Sequence, residues 1–237
     1  LLTKDFNVRE TTTQAWLTFE QIDNQETFDI SVLRPRYGIG GADLSSTTDL
    51  TAACVLFMIP GSDKIYFDHM YWLPEELLEK RAKEDKIPYD VWHDLGLLRT
   101  TPGNSVHPKY VTQWFVEVMR EKDIYLSWVG YDSWSAKYWV EEMENTFGKI
   151  MIPVIQGKKT LSGPMKKLGA DLESKKIVYN NNPITKWCLT NTSIDMDKNG
   201  NIQPVKSNSR RRIDGLAAML NAYVVLQEKY NEYLSII

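Results

Sequence analysis

Three aspartates occupy positions from which carboxylates could do chemistry. Asp43 ends the run Tyr37-Gly38-Ile39-Gly40-Gly41-Ala42, Asp132 follows the apolar stretch Ile124 to Tyr131, and Asp214 opens the last helical segment in Arg212-Ile213-Asp214-Gly215. In open α/β sheets the ligand crevice lies outside the carboxyl ends of the strands. Carboxylates brought there from three separate segments repel one another unless a divalent cation neutralises them. Mg²⁺ or Mn²⁺ suits such hard oxygen donors and leaves positions for water and phosphate. Two such ions about 3.5–4 Å apart activate water on one side and stabilise the leaving oxygen on the other. Phosphodiester hydrolysis is the reaction this pattern fits best. Asp49 is an accessory candidate if a turn returns it towards Asp43, while Asp195 and Asp197 read as solvated hairpin residues able to reach a metal if the hairpin folds over the cleft. The plainer roles stay open: an aspartate after a strand also makes turns or caps helices, and Asp214 suits a helix start for its dipole alone.

The elements that must position these residues are readable from periodicity. Residues 37–44, the apolar run 50–60 and the alternating segment 64–72 read as three strands joined by the short turns Ser45–Asp49 and Gly61-Ser62-Asp63, an antiparallel meander. The period then changes. Helices are expected over 74–86, 106–122, 134–147, 161–175 and 212–234, with strands at 124–131 and 150–155. Asn199-Gly200, between short apolar runs, signals a hairpin within 192–206 that could cover the cleft and restrain it. The expected fold is therefore α/β: a mixed central sheet, meander first and parallel strands after, flanked by helices, with an added β-hairpin. Residues 1–30 read as a linker or strap and 31–237 as one domain.

Composition narrows the class. With 28 Lys+Arg against 31 Asp+Glu the net charge is −3, which disfavours a generic charge-driven binder of nucleic acid or anionic membrane. No run of 18 apolar residues is present to span a bilayer, and the first residues lack the pattern of a signal peptide. Cys54 and Cys188 form no CxxC or Cys/His cluster and read as small buried hydrophobes in a reducing compartment. His69, His93 and His107 are scattered, and no GxSxG elbow supports a serine triad. Gly157-Lys158-Lys159-Thr160 lacks the upstream glycine of a phosphate loop and reads as a loop entering a helix.

Taken together, the motifs resemble the nuclease domain of tailed-phage large terminase subunits. Gly40-Gly41-Ala42-Asp43-Leu44-Ser45 with Asp49-Leu50-Thr51-Ala52 is similar to that family's first acidic motif, Tyr131-Asp132-Ser133-Trp134 to its second, and Arg212-Ile213-Asp214-Gly215-Leu216-Ala217-Ala218 to its third. Gln156-Gly157, Leu161-Ser162-Gly163-Pro164-Met165, Asn182-Pro183, Trp187 and Asn191 follow the same pattern in order, and Phe6-Asn7 with Trp16 resembles the linker after the family's ATPase domain. The resemblance implies an RNase H-like fold and metal-dependent cleavage of double-stranded concatemeric DNA during genome packaging. By position Asp43, Asp132 and Asp214 match the catalytic acids, with Asp43 shared by two Mg²⁺ or Mn²⁺ ions when DNA is bound. Lys206 matches a family lysine that would contact the scissile phosphate. The chain carries no Walker A pattern, so the implied partners are an ATPase domain in cis, double-stranded DNA, the small terminase subunit and the portal, in the host cytoplasm and away from membranes.

Basic residues cluster despite the net charge. Lys158-Lys159, Lys166-Lys167, Lys175-Lys176 and Lys206 with Arg210-Arg211-Arg212 are candidate phosphate contacts, the arginine triplet best placed beside Asp214. Competing classes are a non-catalytic DNA-binding or docking module of a packaging motor, a related RNase H-like resolvase or transposase, and a two-carboxylate glycosidase suggested by eight tryptophans. Trp114, Trp139 and Trp187 lie in apolar or helical contexts that fit core packing.

Overall fold

The computed structural model describes residues 14–44, 50–133, 137–208 and 211–237. Ten strands are described: β1 (Gln14–Ala15), β2 (Tyr37–Asp43), β3 (Thr51–Met58), β4 (Ile65–Pro74), β5 (Leu98–Thr101), β6 (Tyr125–Asp132), β7 (Met151–Val154), β8 (Ile177–Val178), β9 (Thr192–Met196) and β10 (Ile202–Lys206). The central sheet runs β5-β4-β3-β2-β6-β7, with β8 also on β4. As expected, β2, β3 and β4 form an antiparallel meander, and β6 and β7 extend it in parallel.

Both faces of this sheet are covered, and the sequence of β3 shows why. All eight residues of Thr51-Ala-Ala-Cys-Val-Leu-Phe-Met58 are buried, so the strand is apolar throughout instead of alternating. One face packs Cys54, Leu56, Phe67 and Tyr71 under helices Lys158–Glu173, Pro183–Thr190 and Asp214–Glu228. The other packs Val55, Phe57 and Trp72 against Trp114, Phe115 and Val118 of helix Lys109–Glu121, and Trp139 and Met143 of helix Lys137–Phe147. The described tryptophans Trp72, Trp114 and Trp139 are core residues, in line with the packing expectation. Cys54 and Cys188 are likewise free and buried, and burial pushes both thiols up from their ordinary pKa.

Several elements escape the periodicity reading. Strands β5 and β8 share one edge of β4, pairing in parallel with Tyr71–Pro74 and Ile65–Tyr66 respectively. At four and two residues they are too short for a pattern to emerge, and only their distant partner makes them strands. Helices Tyr89–Asp94 and Pro183–Thr190 were also not anticipated. The second carries a strong start signal, since Asn182 caps Ile184 and Thr185 and proline follows at the first position. Helix Lys158–Glu173 begins three residues before its expected start and, as expected, has Pro164 inside it. Gly163 lacks the Cβ that would collide with the proline ring, which lets the helix pass through. The terminal helix is interrupted at Lys229 and resumes as Tyr230–Leu234.

Residues 18–28 form a strap fixed by polar contacts along its length. Tyr179 Oη donates to the Ile22 carbonyl (2.8 Å), Asn24 Nδ2 to Ile177 (2.9 Å), and the Phe28 N–H to Asn180 Oδ1 (3.0 Å). Lys175 Nζ reaches the carbonyls of Glu20, Gln21 and Asp23 at 2.6, 3.1 and 2.7 Å. Upstream, β1 adds to the hairpin to make the small sheet β1-β9-β10.

Candidate active site

The acids are positioned by a pair of glycines. Strands β2 and β6 are parallel neighbours in which Gly41 stands opposite Gly130 and Ala42 opposite Tyr131. Side chains alternate along a strand, so Asp43 shares the face of Gly41 and Asp132 that of Gly130. Helix Asp214–Glu228 crosses this face in close contact. A Cβ on Gly41 would lie 2.2 Å from the Ala218 carbonyl oxygen, and one on Gly130 2.3 Å from that of Asn221. Ala218 is one helical turn beyond Asp214, so the helix start points towards the strand ends that carry Asp43 and Asp132. Burial, and after it the Asp214 and Asp43 carboxylates, push the Cys188 thiol up.

Asp214 is the most enclosed of the three, at 3% exposure, whereas Asp43 and Asp132 are half-buried. Its carboxylate lies 3.9 Å from Lys206 Nζ. Lys206 is the last residue of β10 and pairs with Thr192 at the base of the hairpin. Around the acids, Asn221 Nδ2 donates to the Ala42 carbonyl (2.9 Å), and Gln156 Nε2 bonds Asn221 Oδ1 (3.3 Å) and the Val154 carbonyl (3.2 Å). The Tyr71 and Thr185 hydroxyls are hydrogen-bonded at 2.7 Å beneath the helix start. A Cβ on Gly215 would fall 2.5 Å from Tyr71 Oη, which explains glycine after Asp214. Asn221 and Tyr71 were not singled out from sequence. Asn221, a polar residue within an otherwise buried apolar helix, was the available signal.

Among the described residues, no three His, Cys, Asp or Glu side chains close into a ready-made metal-holding group. The three aspartates are separate oxygen donors, Asp43 and Asp132 at the ends of β2 and β6 and Asp214 at the start of the helix that crosses those strands. A set of carboxylates alone, without thiolate or imidazole, fits Mg²⁺ or Mn²⁺ and not the softer metals.

The basic residues divide sharply. Lys158 Nζ is 2.8 Å from Asp195 Oδ1, tying the start of its helix to the hairpin. Lys159 and Lys166 are exposed. Arg211 is exposed and bonds Asn191 Oδ1 through Nη1 (2.7 Å). Arg212, anticipated on a DNA-facing rim, is turned inward at 4% exposure. Its guanidinium lies 3.5 Å from Asp85, whose side chain is 3% exposed. Arg211 at the surface and Arg212 within therefore do not form one patch. Lys167 pairs with Asp171 at 2.5 Å, Lys176 with Asp63 at 3.2 Å, and Lys175 holds the strap. Asp197 shapes its turn, accepting from the N–H groups of Asn199 (2.9 Å) and Asn201 (2.8 Å), and hydrogen bonds from Asn201 hold its carboxyl below the usual range. The hairpin docks on helix Lys158–Glu173, with the Ile202 N–H donating to Ser162 Oγ (3.1 Å). Asp49, Trp134, Arg210 and the Phe6-Asn7 pair lie outside the described residues.

A mixed sheet of this order, helix-covered on both faces and carrying acids at the ends of adjacent parallel strands, defines an RNase H-like nuclease fold. Residues 1–229 match the family model "Terminase large subunit, endonuclease domain", and the chain belongs to that family. It is 31% identical over 196 residues to the terminase large subunit of Enterobacteria phage HK97, covering 81% of this chain and 38% of that protein. The crystal structure of the HK97 large terminase superposes with a TM-score of 0.81 at 27% identity, over 93% of this chain and 45% of that one. The large terminase nuclease of the thermophilic phage G20c shares the fold at a TM-score of 0.56 and 12% identity, over 90% and 98% of the two chains. That nuclease also has a crystal structure with bound magnesium, with a TM-score of 0.54. The chain thus spans less than half the length of its HK97 relative.

Proposed function

We propose that this chain is a metal-dependent endonuclease that cuts double-stranded concatemeric DNA during viral genome packaging. The supporting observation is the in-register pair Gly41 and Gly130, which lets helix Asp214–Glu228, opening on an acid, approach the two strands that end in Asp43 and Asp132. Asp43 is the ligand that two ions would share, with Asp132 and Asp214 completing the set. Bound Mg²⁺ or Mn²⁺ would supply a nucleophilic water and neutralise charge at the phosphate. The chain's own residues bind and orient. Lys206, beside Asp214, is positioned to meet a phosphate oxygen, while the exposed Lys159 and Arg211 offer sequence-tolerant, salt-sensitive backbone contacts. Lys158 could join them on release from Asp195, and Arg212 orients the chain entering Asp214 from within.

The magnesium-bound G20c nuclease supports a divalent metal in this fold. The HK97 relative's greater length supports the reading of residues 1–30 as a strap leading from an ATPase domain, with 31–237 as the nuclease domain. The full assembly would also engage the small terminase subunit and portal in the host cytoplasm. Among the described residues no helix is long and apolar enough to cross a membrane. Plasmid cleavage with Mn²⁺ tests the assignment. Asp43→Ala should lower the rate on the order of a thousandfold, the scale of several kcal/mol of transition-state stabilisation, and EDTA should abolish it. Undiminished nicking by Asp43→Ala would move the site elsewhere.

A further inference from the structure

Lys206 and Asp214 come from different elements, the end of β10 and the start of the long helix, and meet at 3.9 Å. The Asp214 side chain is 5% exposed and that of Lys206 30%. A carboxylate this enclosed needs a compensating cation, and an ammonium tethered nearby is one. The hairpin holding Lys206 is fixed by three contacts, two of them from one helix. The Trp16 N–H donates to the Thr192 carbonyl at 3.1 Å, Lys158 pairs with Asp195, and Ser162 accepts from Ile202. Thr192 is the register partner of Lys206, so the segment entering at Gln14 buttresses the lysine through one strand.

We infer that Lys206 is a resident counter-cation which Asp214 exchanges for a divalent ion when DNA arrives. This rests on the metal-site reading above. An ammonium and a divalent ion at the same carboxylate repel each other, so the lysine lowers metal affinity in the DNA-free protein. A substrate phosphate offers the ammonium a new acceptor, and its partly exposed side chain can turn to it. Metal loading is thereby coupled to the presence of DNA, and free protein is kept from loading metal prematurely. Lys206 acts here as a positioning residue on the metal site, in addition to any phosphate contact.

The test titrates MnCl₂ into the DNA-free 237-residue chain and follows free Mn²⁺ by electron paramagnetic resonance. Lys206→Gln should bind Mn²⁺ more tightly, on the order of tenfold, while Lys206→Arg should stay near wild type. Asp43→Asn should weaken binding in every background. Thermal melts confirm folding, with Lys206→Met standing in if the glutamine variant melts early. Equal or weaker binding by the folded Lys206→Gln protein, with Asp43→Asn still disruptive, overturns the exchange and leaves the active-site reading intact. Mn²⁺ binding indifferent to Asp43→Asn overturns both.

Discussion

Gly41 and Gly130 stand opposite each other on parallel strands and both receive the backbone of the same helix, one against Ala218 and the other against Asn221. Two missing side chains thus bring a helix nearer to a sheet than ordinary residues allow. The acids two residues further along each strand inherit that closeness.

Gly130→Ala and Gly41→Ala should therefore be costly. The added carbon sits inside contact distance of main chain, which cannot rotate away as a side chain would. Overpacking of this kind costs about 1–3 kcal/mol or more. Urea denaturation should show the loss, and Mn²⁺-dependent cleavage should fall further than stability alone explains because the helix start shifts.

The neighbouring arginines should separate in experiment. Arg212→Met leaves the enclosed Asp85 carboxylate without its cation, with the Tyr89 hydroxyl bond (3.0 Å) still beside it, a change that costs about 3–5 kcal/mol in buried pairs. Arg211→Ala, at an exposed position, should barely alter the melt but weaken DNA binding and reduce the salt slope by about one. Measuring both variants by denaturation and by binding at several salt concentrations checks the division.

His69 should make the domain acid-sensitive. The ring is stacked between Phe67 and Tyr71, at 5.8 and 5.9 Å, and burial lowers its pKa from 6.5 to about 3. The unfolded chain binds a proton there between these values while the folded one does not. Its contribution is whole above pH 6.5 and is lost as pH falls towards 3, by a few kcal/mol in order of magnitude. His69→Phe should flatten the stability curve over that window, and an unchanged slope would refute the assignment.

Lys175 should govern the strap alone. Lys175→Met removes donors to three carbonyls of residues 20–23. Hydrogen exchange over residues 18–28 should accelerate, with little change in the strands of the central sheet.

Much of this protein was legible in its sequence because local physics wrote it there. An unbroken apolar run has to be a central strand, and an aspartate ending such a run has to lie at the sheet's carboxyl edge, so Asp43 and Asp132 stood out before any coordinates, as did Asp214 at the opening of the last helix. The meander, the hairpin about Asn199-Gly200 and the main helices follow from the same short-range regularities. What the tertiary structure decided was pairing over long separations. Two-residue β8 is a strand only because Ile65 and Tyr66 lie beside it. Arg212 turns inward because Asp85, distant in sequence, is there to receive it, and Lys158 is held because Asp195 folds back against it. Charge and hydropathy belong to single residues and can be read along a chain. The direction a side chain faces depends on which partner shields it from water, and that is settled only when distant segments meet.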